Sequence, residues 1–495
     1  MMSIEAKKGP RRADGVACGE RAIAGGSMPA IGLEAEFTTV IDGVPQRPED
    51  VFGSPRKVIR GPLVHRTGRS YHLPTGGALY FDTGVMEIAT PMIEIARGCG
   101  ARGTRSLWES LGFLRNELDA WEAATERSIR LVGFSAHYNV SFDLPRSEQA
   151  DGRSVEQLAY LLTHVLAAPV MVLAANRRST GVGVRPRGNR VEITADFTPD
   201  AALMAATATL IVGIVREVMT WPDYSVAQLA AHSIPVVQGF VPVPHSSRKG
   251  WVAKDVCYPF NPFACDVDAD QWKQQSGASL TLREMAGRTT RHFWKTVSEL
   301  GDPTSLRLIA AVMRGRAPSL LELDDRPAAY DDVGRLCSWN DLFPVTLLPR
   351  SRYERVLSHA IAGRRVRIAG VWHRPVGVRG WTHVVLRRER DGTRHIRSLD
   401  DLLVHLDAWD RSANRLLRER RAVPPIMILA ERRLVDRRAD VGDTMERRRE
   451  SDAISEAVLL AGKLEATPNA DAAPAPKPLG IRPQAEAPLV IIARI

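Results

Sequence analysis

Residues 31–37 read IGLEAEF, and the alternation in those seven letters decides the fold. Side chains on a strand point to opposite faces in turn, so Ile31, Leu33, Ala35 and Phe37 fall on one face while Glu34 and Glu36 fall on the other. Three further stretches repeat the pattern. VMEIAT (85–90) sets Glu87 between Met86 and Ile88. In GFSAHYNVSFD (133–143) and the valine before it, Val132, Phe134, Ala136, Tyr138, Val140 and Phe142 share one side. Ser135, His137, Asn139, Ser141 and Asp143 share the other. NRVEITADF (189–197) buries Val191, Ile193, Ala195 and Phe197 and displays Arg190, Glu192, Thr194 and Asp196.

If the four strands lie in one sheet with their apolar rows on a common core, Glu34, Glu36, Glu87, His137, Arg190 and Glu192 arrive on one polar face. Carboxylates brought together this way repel one another by several kcal/mol at an effective dielectric of roughly 20, and divalent cations would remove the repulsion. Hard oxygen donors with one imidazole suit Mg²⁺ or Mn²⁺ better than zinc. A solvated amphipathic strand would also carry Glu and Arg at alternate positions. Against that reading, Glu, Asp and Asn are poor strand residues, and Glu-x-Glu inside a strand is an odd choice for a face that only meets water.

In order and strand context, GLEAEF, VMEIATP, SAHYNVS and NRVEITADFTPD resemble the metal and phosphate motifs of the glutamine synthetase and glutamate-cysteine ligase superfamily. They look most like the bacterial carboxylate-amine ligases of the glutamate-cysteine ligase type, over roughly residues 29 to 220. The resemblance implies an α+β fold whose antiparallel sheet curves into a glutamine-synthetase-like half-barrel packed with helices. It also implies a cytoplasmic, ATP- and Mg²⁺- (or Mn²⁺-) dependent carbon-nitrogen ligase acting on small amino-acid substrates through an acyl phosphate. Carried over by position, Glu34, Glu36, Glu87, His137 and Glu192 would be metal ligands. Arg190 would stabilise the transferring phosphoryl group with Arg185 and Arg187 as helpers, and Asn139 and Ser141 would lie near the nucleotide. Two positions depart from glutamine synthetase itself, which has a second histidine where Asn139 stands and another arginine where Thr194 stands. The chemistry left open is therefore ligation, a guanidino-kinase-like phosphoryl transfer on the same fold, or a barrel kept as the scaffold of a non-catalytic, arginine-rich nucleic-acid-binding protein.

Composition narrows the field. The chain has 495 residues, 44% of them hydrophobic, enough for a sizeable core and two or three domains. No apolar run is read as reaching the roughly 18 to 20 residues of a membrane span, and the charged N-terminus lacks an apolar h-region, so neither a membrane protein nor secretion is expected. Five cysteines without CxxC spacing read as reduced thiols. The net charge of +10 comes chiefly from arginine in the second half, as in LRRERDGTRHIR and ERRLVDRRAD. Acids interleave there and aromatics do not, which reads as a solvated face rather than a nucleic-acid platform. No Walker, GxGxxG or GxSxG signature is present. A homo-oligomer is expected on base rates alone.

The chain divides into an N-terminal extension (1–28) expected to be disordered, a catalytic domain (29–348), a basic α/β accessory region (349–461) and an Ala/Pro-rich tail (462–495) also expected to be disordered. Residues 42–83, rich in Pro and Gly, read as a loop over the site. Leucines at 107, 111, 114 and 118 with Trp121 predict a helix over 104–130. Ser154 with Gln157 is a capping box for a helix running toward Pro169. Asp200 caps the next helix, and residues 270–345 read as helical. His164 is expected to be packed or exposed rather than a ligand, and 245–249 (HSSRK) a surface turn. About Asp391 and Gly392 two extended runs form a hairpin that ends in a helix capped by Ser398.

Overall fold

The computed structural model describes residues 28–144, 152–245, 249–337 and 349–411. The expectations for both chain ends fall largely outside that range. Among the described residues, twelve strands make one antiparallel sheet curled into a half-barrel. In chain order they are β1 (Ala30–Ile41), β2 (Val44–Gln46), β3 (Val64–Thr67), β4 (Ser70–His72), β5 (Ala78–Asp82), β6 (Val85–Ala89), β7 (Ile93–Glu94), β8 (Ile129–Ser141), β9 (Val182–Arg187), β10 (Arg190–Asp196), β11 (Val243–Pro244) and β12 (Trp251–Ala253). Across the sheet the order is β11-β12-β9-β10-β8-β1-β6-β5-β4-β3, with β2 and β7 also pairing with β1. All four motif stretches are thus adjacent strands, β6-β1-β8-β10, and their register fixes which side chains meet.

The apolar rows of β1 and β10 behave as the alternation requires. Ile31, Leu33, Ala35 and Phe37 of β1 are buried, as are Val191, Ile193, Ala195 and Phe197. They pack against α2 (Cys99–Thr125), α3 (Val155–Ala174) and α4 (Ala201–Val218), which follow the short α1 (Pro48–Phe52). Ser154 and Gln157 form the capping box of α3, and Asp200 accepts from the Leu203 N–H at the start of α4. Beyond α4 come α5 (Ala227–Ala231), the ribbon β13 (Trp272–Lys273) with β14 (Ser279–Leu280), then α6 (Leu282–His292), α7 (Trp294–Leu300) and α8 (Pro303–Met313).

The last described stretch forms a four-stranded antiparallel sheet: β15 (Val366–Ile368), β16 (Val371–Arg379), β17 (His383–Arg388) and β18 (Arg394–Ser398). It carries α9 (Arg352–Ile361) and α10 (Leu399–Leu403). Its hydrophobic cluster, built on Tyr353, Val356, Leu357, Val384, Leu386 and Trp409, is separate from the main core. The β17–β18 hairpin and the Ser398 cap of α10 match the sequence reading. A buried Arg105–Glu354 ion pair at 3.5 Å joins α9 to α2.

Five expectations need correction. Phe134 was assigned to the apolar row, yet it is 55% exposed. The register of β1 and β8 shifts so that Glu36 faces Ser135 and Phe37 faces Gly133. This bulge adds one residue to β8 and turns Phe134 outward. The segment 42–83 is no loop: β3, β4 and β5 continue the sheet and β2 pairs with β1. The helix α3 runs through Pro169 to Ala174, because burial of nearly its whole circumference outweighs the hydrogen bond that proline removes. That continuation makes α3 (20 residues) and α4 (18 residues) long and apolar enough to cross a membrane; 78% and 83% of their apolar windows are buried inside the protein. Finally, 270–281 is a ribbon and 314–337 is mostly irregular, since short apolar runs there lack a full helical stripe.

The bulge depends on a close approach. A Cβ on Gly133 would stand 2.6 Å from Phe197 Cδ1, whereas Gly112, inside α2, has nothing within 4 Å. Gly133→Ala should therefore destabilise the protein by about 1–3 kcal/mol through overpacking. Gly112→Ala should stabilise it by up to about 1 kcal/mol. Chemical denaturation of both variants checks the pair.

Candidate metal and phosphoryl-transfer site

Because β6, β1, β8, β10 and β9 are neighbours in antiparallel register, the polar face is a lattice of opposed side chains. One row reads Tyr80, Glu87, Glu36 and Ser135 across β5, β6, β1 and β8. The next holds Glu34, His137 and Thr194, and the one after that Asn139, Glu192 and Arg185. The last pairs Ser141 with Arg190 and Arg190 with Arg187. Every residue assigned to the site from sequence lies on this face.

They are not equally placed for a metal. One ligand atom each from Glu34, Glu87 and His137 lies within 4.8 Å of the others. Donors held at about 2.1 Å around Mg²⁺ stand about 3.0 Å apart at adjacent positions and about 4.2 Å apart across the ion, so these three would have to draw together for one ion to hold them all. Glu36 is turned aside: the Ser135 hydroxyl donates to its Oε2 at 2.6 Å, and its Oε1 is 3.7 Å from His137 Nε2. Glu192 is held by cations. Arg187 forks onto it, Nε to Oε2 at 2.8 Å and Nη2 to Oε1 at 3.1 Å, and Arg185 pairs with Oε1. Ligation by Glu36 or Glu192 would require them to leave those partners.

Electrostatics divides the face in two. On the acid side, burial, reinforced by the Glu34 charge, pushes the Glu87 carboxyl up to about 9. Burial also acts upward on Glu34, but the hydrogen bond and charge of His137 outweigh it and hold that carboxyl below its ordinary value. The pair therefore holds one proton at neutral pH, on Glu87, and Tyr80 donates its hydroxyl to Glu87 Oε1. On the other side, burial opposes ionisation of Glu192, yet the Arg187 bond with the nearby His137 and Arg185 brings it down to about 2.

His137 stands between the halves. Its Nδ1 is 3.4 Å from Glu34 Oε2, and its Nε2 lies 3.2 Å from the Ser135 hydroxyl and 3.4 Å from Arg185 Nη2. Nδ1 thus faces the Glu34 carboxylate and Nε2 faces the Ser135 and Arg185 side of the site. A metal beside Glu34 would be met by Nδ1, which can ligate only in its unprotonated form.

Arg190 donates Nε to Asn139 Oδ1 at 2.7 Å and has no ion pair among the described residues, so its terminal amino groups are available to an anion. The Ser141 hydroxyl accepts from the Ala30 N–H at 3.0 Å, tying the start of β1 to the end of β8. His164 is packed edge-on against Tyr160 and Phe240 and touches no site residue. His245 donates its N–H to Gly250 O, closing the β11–β12 turn; 246–248 lie outside the described residues.

Tyr80, Arg66 and Ser135 were not picked out from the sequence as site residues. Tyr80 could have been. Thr83 and Gly84 both have positive φ, 50° and 98°, the signature of a two-residue hairpin turn, and counting outward from it pairs Tyr80 with Glu87. Arg66 had no such signal, because its place depends on how β3 reaches the far edge of the sheet.

No protein-family model and no curated protein matches the sequence. Among solved structures, the chain is similar to the crystal structure of the complex between the prokaryotic ubiquitin-like protein Pup and its ligase PafA. The TM-score is 0.40 and the identity 11%, covering 80% of this chain and 98% of that one. It is also similar to PafA in complex with ADP, at a TM-score of 0.35 and 10% identity over 82% and 97% of the two chains. Similarity at this level leaves the site to be read from its own residues.

A hard divalent cation fits the acid side, because it would replace the proton that Glu87 otherwise needs. Binding of Mg²⁺ or Mn²⁺ at pH 7 should accordingly release protons, and affinity should rise with pH toward about 9. Calorimetry in two buffers of different ionisation enthalpy measures the release. Glu87→Gln should reduce it and weaken binding about 10-fold or more. In metal-free protein the same shift makes stability fall as pH rises from the ordinary carboxyl value of 4.5 through about 9. Thermal melts should show that slope in the wild type and less of it in Glu87→Gln.

Proposed function

We propose that this protein is an ATP- and divalent-metal-dependent carboxylate-amine ligase. The observation that carries the reading is the convergence of Glu34, Glu87 and His137 beside a row of arginines on one face of a curled antiparallel sheet. Acids that need a cation on one side and guanidinium groups on the other are the two requirements of phosphoryl transfer, where charge neutralisation and positioning do most of the work.

In this reading Glu34, Glu87 and His137 hold Mg²⁺ or Mn²⁺, which when bound would neutralise charge on the ATP phosphates. Arg190 presents its fork to the γ-phosphoryl group, held in orientation by Asn139. Arg187 and Arg185 are kept in place by Glu192, so Glu192 acts as their positioning residue at least as much as a ligand. A substrate carboxylate oxygen attacks the γ-phosphorus and ADP departs. The amine then attacks the acyl carbon, inorganic phosphate leaves, and the amine loses a proton. Glutamate with cysteine is the first substrate pair to test, although nothing on the polar face selects a thiol-bearing amine.

The deciding experiment follows ADP release with ATP and Mg²⁺ across pairs of carboxylate and amine substrates, with mass spectrometry for products. Pair-dependent ADP release with a new amide supports ligation; a stable phosphorylated acceptor would mean a kinase on the same scaffold. If neither ATP nor Mg²⁺ binds, the ligase reading fails. Glu34→Gln should lower metal-dependent turnover at least about 100-fold with circular dichroism unchanged. Arg190→Lys should lower kcat more than it raises KM for ATP, because lysine keeps the charge and loses the fork; unchanged kinetics would remove Arg190 from the phosphoryl site.

A further inference from the structure

A second cationic feature lies off the carboxylate lattice, where the far edge of the large sheet meets the four-stranded sheet. A cleft of about 300 Å³ opens there between β3 and the β16–β18 strands. His65, Arg66, Arg379 and Arg394 line it, with Val376 and Val378 among its apolar walls. No acid lines the cleft, and Arg66, Arg379 and Arg394 have no ion pair among the described residues.

Arg66 is the anchor. Its guanidinium is stacked 4.7 Å from the Trp381 ring centroid and 5.5 Å from that of Tyr80. Its Nε and Nη1 are buried with no hydrogen-bond partner among the described residues. Trp381 is itself braced by His72, whose ring packs edge-on at 5.0 Å and whose Nε2 lies 3.2 Å from Gly380 O. A guanidinium fixed between two aromatic faces, with polar atoms unsatisfied, is expensive to maintain without an anion. The exposed Arg379 and Arg394 bring two more guanidinium charges to the same small cleft, and like charges gathered there favour an anion.

We propose that this cleft is a binding site for a small oxyanion-bearing ligand, a carboxylate or a phosphate, gripped by the forks of Arg379 and Arg394 beside the fixed charge of Arg66. Arginine matches both anions in planar, two-bond geometry, and the volume admits a ligand of only a few heavy atoms beyond its anionic head. The site is separate from the arginine row of β9 and β10. It adjoins the acid side through Arg66, which stacks on the same Tyr80 that donates to Glu87.

The test is direct binding, so it stands whether or not the protein proves to be a ligase. Glutarate and inorganic pyrophosphate are titrated calorimetrically into the full chain in metal-free buffer at fixed ionic strength. The proteins compared are wild type, the double variant Arg379→Gln/Arg394→Gln, and Arg307→Gln on α8 as a control for loss of a positive charge outside the cleft. Both cleft arginines are exposed, so the double variant should fold. The expected result is binding of at least one probe that weakens 10-fold or more in the double variant and is unchanged in Arg307→Gln. Tighter binding of glutarate marks a carboxylate ligand, and tighter binding of pyrophosphate a phosphate. Failure of both probes to bind, equal affinity in the double variant, or an equal loss in Arg307→Gln would overturn the proposal.

Discussion

Glu34 and Glu87 lie on adjacent strands of one sheet, both turned to the same face, and they cannot both be ionised there without a counter-charge. Two like charges about 4 Å apart cost about 4 kcal/mol at an effective dielectric of roughly 20. The molecule meets that repulsion with a proton on Glu87, the Tyr80 hydroxyl and the His137 imidazole. Each of these is a provisional answer that a divalent ion would replace. The rest of the fold keeps the problem in place: α2, α3 and α4 cover the apolar face of β1, β8 and β10, so none of these strands can rotate its acids away without exposing a buried row.

Alongside the acid pair runs its inverse. Glu192 is flooded with positive charge, and its carboxyl is pulled down to about 2 by the same face that pushes Glu87 up to about 9. Such a spread between carboxyls on one face of one sheet is a mark of sites that handle charge rather than of surfaces that only meet water. It also gives the face a direction, from protonated acid through imidazole to guanidinium. Any ligand bridging the two halves would have to be anionic toward the arginines and cation-bound toward the acids, which describes a metal-chelated phosphate chain.

Alternation made the sheet, the apolar rows and the polar face legible, because a period of two leaves a strand only one way to bury Ile31, Leu33, Ala35 and Phe37. Caps were legible for the same reason of local necessity: Ser154, Asp200 and Ser398 each satisfy an orphan N–H a few residues on. What alternation could not show was a break in its own count. The bulge at Phe134 arises because Gly133 packs against Phe197, a contact 64 residues away in sequence that no local pattern encodes. The finer roles on the polar face were hidden likewise. Whether Glu192 meets a metal or an arginine depends on the register of β9 against β10, and the sequence alone offered Arg185 and Arg187 only as helpers.

The segment 42–83 shows how composition misleads when tertiary pairing decides. Its prolines and glycines suggested a loop, yet its strands carry the half-barrel outward until β3 reaches β16. That extension has a consequence for the site. Tyr80 belongs to the acid lattice through Glu87 and to the aromatic clamp on Arg66, and Arg66 in turn leans on Trp381 of the second sheet. On the opposite flank, Glu94 of β7 accepts the Tyr353 N–H at 3.1 Å, and the buried Arg105–Glu354 pair fixes α9. The second sheet is thus held from two directions, by α9 on β7 and by Trp381 on Arg66. A fold that needed the later residues only for bulk would have no reason to bring an aromatic ring from them into the stack beside Glu87.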